Sequence, residues 1–133
     1  MSRPTPLRVA LFGAGLVGQA SHALTLSDDR ERFDLVAVAD PSETVRTAVA
    51  ARFRIPNAVG TLEEALALGL DAVVIAVPDP AHRPAVLTAL AAGVHVFCEK
   101  PLAVSVEEVD EILAARGDRV VQVGYMKLYD PAV

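Results

Sequence analysis

Continuous apolar runs alternate along this chain with stretches whose apolar residues recur at helical spacing. Leu7 to Phe12 is the first run, and after a glycine-rich turn Leu16, Ala20, Ala23 and Leu24 mark a helix over Leu16 to Leu26. A charged connection, Ser27 to Arg32, leads into a second strand, Phe33 to Ala39, that ends at Asp40. Glu43 to Phe53 reads as a helix that stops before Ile55-Pro56, and Ala58 to Gly60 as a short strand. Thr61 caps a helix running to Leu68, with Glu64 at the capping-box position three residues on. Leu70 to Val77 has the unbroken apolar character of a strand covered on both faces, and Pro78-Asp79-Pro80 forces an extended turn at its end. Ala81 to Ala92 is helical up to Gly93, and Val94 to Cys98 is a fifth strand. Ser105 to Arg116 is a helix with Glu108 three residues past its cap, and Arg119 to Val123 is a sixth strand ahead of Gly124. Met1 to Pro6 has no pattern and reads as a frayed lead-in.

Six strands separated by five helices predict an α/β protein, because each strand-helix-strand unit returns the chain parallel to itself by a right-handed crossover. The expected fold is a Rossmann-type, doubly wound, parallel six-stranded sheet of order 3-2-1-4-5-6. Such an order puts the carboxyl ends of the first and fourth strands at a switch point, where ligands lie.

Composition narrows the picture. The 133 residues suit one domain, and 53% hydrophobic residues with 5% aromatic and no Trp call for an aliphatic core. Twelve basic against seventeen acidic side chains give a net charge of −5 with no basic cluster, which argues against a nucleic-acid partner. A single cysteine, Cys98, excludes an internal disulfide. With no signal-like segment and no apolar span of about 20 residues, the chain is expected to be cytoplasmic and to have no membrane partner. No metal site is expected.

The chemistry begins at Arg8 to Gly18, RVALFGAGLVG. A strand turning into a helix beside a diphosphate has no room for side chains. Gly13 permits the tight turn, Gly15 lets backbone N–H groups approach the pyrophosphate, and Gly18 lets the helix lie close on the strand. Asp40, 22 residues after Gly18, stands where a carboxylate accepts both hydroxyls of the adenosine ribose and repels a 2′-phosphate, so NAD is preferred over NADP. The simpler reading is that Asp40, with Pro41 and Ser42, opens a turn and caps the next helix. Arg46 is placed to reach a 2′-phosphate, which tempers the preference. Glu99-Lys100-Pro101 directly follows the fifth strand, on the same sheet edge as the glycines. A partly desolvated lysine there can exchange a proton with a substrate hydroxyl while hydride passes to a nicotinamide; the plain alternative is a solvated lysine in a proline-bounded loop.

HVFCEKPLAVSVEE, with GAGLVG, VVIAVPDPAH and VGYMKLYDP, resembles the glucose-fructose oxidoreductase and inositol dehydrogenase family over essentially the whole chain. The resemblance implies NAD(P)-dependent oxidation or reduction of a sugar-like or cyclitol substrate, with Lys100 as the acid/base residue and Glu99 as its positioning neighbour. It implies a cis peptide at Pro101 and a cofactor site made of Gly13, Gly15, Leu16, Val17, Gly18, Asp40, Val77, Pro78, His82, Glu99, Lys100 and Pro101. Asp79 stands where the family usually has asparagine beside the cofactor ribose. His82 is read as structural, at a helix start; His95 as structural; His22 as a helix-surface residue; Cys98 as a small apolar strand residue. Tyr125 and Lys127 match a segment near the substrate. Residues 125–133 match the start of the family's crossover to a substrate domain that supports oligomers, so residues 1–133 are read as the cofactor domain of a longer enzyme, inactive alone. The alternative is a dinucleotide-binding module without catalysis, or an assembly partner.

Overall fold

Each unbroken apolar run becomes a parallel strand whose alternate residues enter two different cores. The computed structural model describes residues 4–15 and 18–124. Its strands are β1 (Leu7–Phe12), β2 (Phe33–Ala39), β3 (Asn57–Val59), β4 (Ala72–Ile75), β5 (His95–Glu99) and β6 (Val121–Gly124). All neighbouring pairs are parallel, and the sheet order is β3-β2-β1-β4-β5-β6, as the alternation predicts.

The helices are α1 (Leu24–Asp28), α2 (Glu43–Phe53), α3 (Leu62–Leu66), α4 (His82–Ala91) and α5 (Val106–Arg116). One face of the sheet packs Ala10, Val73, Ile75, Val96 and Cys98 against Leu62 and Ala65 of α3, Val86 and Ala89 of α4 and Ile112 of α5. The other packs Val9, Leu11, Leu35 and Val74 against Leu26 of α1 and Val49 and Phe53 of α2. Period-two alternation inside a strand that is covered twice is what makes VVI of β4 apolar at every position.

Polar residues end the helices where their side chains replace missing backbone partners. The Val45 N–H donates to Ser42 Oγ (3.2 Å), the Glu64 N–H to Thr61 Oγ1 (3.2 Å) and the Glu108 N–H to Ser105 Oγ (3.2 Å). Glu64 also accepts from the Thr61 hydroxyl, and Glu108 accepts from the Val104 N–H, one residue ahead of the Ser105 cap, so each carboxylate turns back on its helix start without closing the full reciprocal box.

Two helix starts differ from the periodicity. The chain after Gly18 forms a π-helical turn over Gly18–Ala23 before α1 begins. The wider turn shifts the register, so Ala23 and Leu26 are buried whereas Leu24 is 48% exposed. Ahead of α4, Asp79–Ala81 forms a 3-10 turn, because Pro80 presets the backbone and has no N–H to donate. The expected fourth strand shortens by two residues at each end, and α3 stops at Leu66 ahead of Gly69, whose φ is +77°. Among the described residues, no helix is long and apolar enough to cross a membrane.

Candidate functional site

The three glycines of the first turn serve different neighbours. Gly13 has a φ of +101°, and a Cβ on it would lie 2.3 Å from the Ala76 carbonyl oxygen at the end of β4. A Cβ on Gly18 would lie 2.3 Å from the Gly13 carbonyl oxygen. Both positions are closed by the chain itself. Gly15 has nothing within 4 Å of its Cβ direction and is exposed, so its surroundings are open to a ligand. Gln19, which no motif in the sequence marks, braces this loop by donating from Nε2 to the Ala14 carbonyl (2.7 Å).

Asp40 does both things the sequence allows. Its Oδ1 accepts the Ser42 N–H (2.9 Å) and thereby shapes the turn into α2, while its Oδ2 accepts the Ala14 N–H (2.9 Å) of the glycine loop. The carboxylate is half-buried, and each oxygen keeps lone-pair capacity for a further donor such as a ribose hydroxyl. Arg46 turns its Nη1 to the carbonyls of Asp40 (3.2 Å) and Pro41 (3.3 Å). Its guanidinium therefore braces the same corner.

Across the switch point, the β4 and β5 ends supply the opposite wall. His82, 1% exposed, places Nε2 against the Val77 carbonyl (2.7 Å) and Nδ1 against the Pro101 carbonyl (2.5 Å). One buried ring thus ties the Val77-Pro78 turn to the loop after β5. The structural role expected for His82 is what the geometry gives it. The Lys100–Pro101 peptide is cis. Lys100 is exposed, and among the described residues it has no hydrogen-bond or ion-pair partner.

A cleft of about 750 Å³ is lined by Gly13, Gly15, Asp40, Val77, Pro78, Asp79, His82, Glu99 and Lys100 together with Phe12, Pro41, Ala76 and Ala81. Of the expected cofactor residues, Gly18 lies behind the loop and Pro101 takes part through its bond to His82. Leu16 and Val17 lie outside the described residues, as do Tyr125 and Lys127. The open space at Gly15, the acceptor at Asp40 and the exposed side chain of Lys100 fit an elongated ligand with a diphosphate centre and hydroxylated ends. A second hollow, about 810 Å³, sits beside Leu7 and Phe33 at the amino ends of the strands, away from the switch point. Among the described residues, no three His, Cys, Asp or Glu side chains are grouped to hold a metal ion.

Two histidines depart from or refine their expected places. His22 is not a helix-surface residue: it is 14% exposed, and its Nε2 donates to Oε1 of Glu99, itself 20% exposed. Glu99 is accordingly paired with the π-helical turn after the glycine loop. His95 accepts the Val120 N–H at Nδ1 (2.9 Å), a structural bond from the start of β5 to the residue that leads into β6. Cys98 is fully buried, and burial, then the charges of Glu99 and Asp79, push its thiol up to about 12.

This geometry has close counterparts among known proteins. The family described as an oxidoreductase family with an NAD-binding Rossmann fold matches residues 7–125. An inositol 2-dehydrogenase of Acidothermus cellulolyticus is 39% identical over 99% of this chain and 40% of its own length. The crystal structure of GenD2 from gentamicin A biosynthesis, in complex with NAD, superimposes with a TM-score of 0.90 at 36% identity, over 98% of this chain and 38% of that one. Myo-inositol 2-dehydrogenase from Lactobacillus plantarum gives a TM-score of 0.86 at 29% identity, over 95% of this chain and 38% of that one. The chain thus spans about two fifths of the length of these relatives. Matched by that family along nearly all of its residues, it belongs to the glucose-fructose oxidoreductase and inositol dehydrogenase family, as an NAD-binding Rossmann domain.

Proposed function

We propose that this domain serves an NAD-dependent oxidoreductase that oxidises a hydroxyl, or reduces a keto group, on a sugar-like or cyclitol substrate. The observation that supports this reading most is the exposed Lys100 on the rim of the cleft that is also lined by Gly15 and Asp40. Relatives named inositol 2-dehydrogenase supply the substrate class. The catalysis belongs to a protein of their full length that carries this domain, with residues 125–133 as the start of the crossover to its substrate-binding part.

The residues divide the work by position. Gly13, Gly15 and Gly18, with Leu16 and Val17 between them, seat the diphosphate, and Asp40 accepts the adenosine ribose hydroxyls and disfavours a 2′-phosphate. Val77, Pro78 and His82 shape the wall opposite. Bound NAD supplies the hydride acceptor. Lys100 takes the substrate hydroxyl proton as the carbon gives up its hydride, and its exposure lets that proton pass on to solvent. The protein is read as cytoplasmic and as forming a homo-oligomer, with no nucleic-acid partner.

Calorimetry on the chain with NAD and NADP tests the first half of the reading; micromolar NAD binding with weaker NADP binding supports it, and no binding of either at millimolar concentration overturns it. Turnover of cyclitols or sugars by a protein carrying the domain at the relatives' full length tests the second half.

A further inference from the structure

The pair formed by His22 and Glu99 joins the first helical turn to the end of β5 one residue ahead of Lys100. The two residues are 77 positions apart in the chain. His22 lies in the π-helical turn that starts at Gly18, and Gly18 is closed against Gly13 by the missing Cβ. The ring of His22 also meets the Phe97 ring edge-on, with centroids 5.4 Å apart and planes at 66°. Phe97 and Glu99 share one face of β5, two residues apart. Gly124 of the neighbouring strand leaves room for both, since a Cβ there would lie 3.0 Å from Phe97 and 3.3 Å from Glu99 Oε2.

The Glu99 carboxylate is only 20% exposed and is stabilised by a charge-assisted partner; His22 meets it across the fold, and Lys100 follows it directly in the chain. In the structure His22 has it, and Lys100 has no partner among the described residues. We propose that His22 is a positioning residue for Lys100. By holding the Glu99 carboxylate on the first helix, it keeps that carboxylate off the lysine amine and couples the helix behind the glycine loop to the lysine. The role of Lys100 rests on the oxidoreductase reading above; the held carboxylate is a property of the free chain.

The chain has only two lysines, Lys100 and Lys127, so it is suited to a direct probe. Reductive methylation with ¹³C-formaldehyde keeps the lysine charge, and K127R leaves Lys100 as the single lysine signal. His22→Gln keeps an amide N–H for Glu99, and His22→Leu keeps bulk without a donor. In the free chain at neutral pH, H22Q should leave the Lys100 resonance where it is, H22L should displace it, and H22L/E99Q should restore it. NAD affinity should be retained in H22Q and fall about tenfold in H22L, the effect of one charge-assisted hydrogen bond. An unmoved Lys100 resonance in H22L, or one moved equally in H22Q, overturns the proposal. If H22L does not fold, His22→Asn, too short to reach Glu99, takes its place under the same criteria. Failure of the unmodified chain to bind NAD overturns the oxidoreductase reading alone, because the free-chain comparison still decides the role of His22.

Discussion

The imidazole Nδ1 of His82 lies 2.5 Å from the carbonyl oxygen of Pro101, across 19 residues of chain, while its other nitrogen meets the carbonyl of Val77. Two loops of the cleft therefore depend on one buried ring. His82→Ala removes packing and leaves both carbonyls without their partner, a loss of about 2–5 kcal/mol of folding stability. Urea unfolding followed by circular dichroism checks it, and a change within experimental error would show that the two loops stand independently.

Lys100→Met keeps the length of the side chain and removes its amine. In a protein of the relatives' full length, turnover should fall by about 10²–10⁴-fold, the range for loss of a general acid or base. NAD affinity, measured by quenching or calorimetry, should stay within about threefold, since the diphosphate and ribose contacts are elsewhere. Turnover near that of the unchanged protein would remove Lys100 from the proton transfer.

Asp40→Asn replaces an acceptor with an amide that can satisfy Ala14 or Ser42 but not both in the present geometry. NAD affinity should weaken ten- to hundredfold, about 1.5–3 kcal/mol for a lost charge-assisted bond, and the ratio of NAD to NADP affinity should narrow. Titration of both nucleotides into the variant gives both numbers from one preparation. An unchanged ratio would assign the selectivity to Arg46 or to another residue.

Cys98 carries a pH signature of opposite sign to that of a paired carboxylate. Its thiol is raised from 9.0 to about 12 in the fold, by burial first and by the Glu99 and Asp79 charges next. The folded state thus holds the proton longer than the unfolded state. The contribution is whole below the unfolded value of 9.0 and declines as pH rises towards about 12. Unfolding curves across that window should show the decline, and Cys98→Ala should lack it. At mildly alkaline pH, iodoacetamide should label the unfolded chain and spare the folded one.

Much of this fold is legible in the residues because parallel strands buried on both faces leave few alternatives. VVI of β4 could only be a central strand, and the Thr61-Glu64 and Ser105-Glu108 spacings mark two helix starts that the structure repeats. Counting strands is enough to put Asp40 and Lys100 on one edge. The His22–Glu99 bond cannot be found that way. A helical wheel carries one register from Leu16 onward, whereas the π-helical turn rotates the residues beyond it, and the partner is 77 residues distant. The pattern puts His82 at a helix start, but that both its nitrogens face backbone carbonyls depends on where the loop after β5 returns.

The glycine fingerprint divides into two kinds of information. At positions 13 and 18 a side chain would collide with the protein's own carbonyls, 2.3 Å away in each case, so those glycines are demanded with or without a nucleotide. Only at Gly15 does the fold leave the space empty. A descendant of this domain that had abandoned dinucleotides would still keep the outer two glycines to remain folded, and would pass a search for the motif's ends. The middle position is where such a loss would be recorded first.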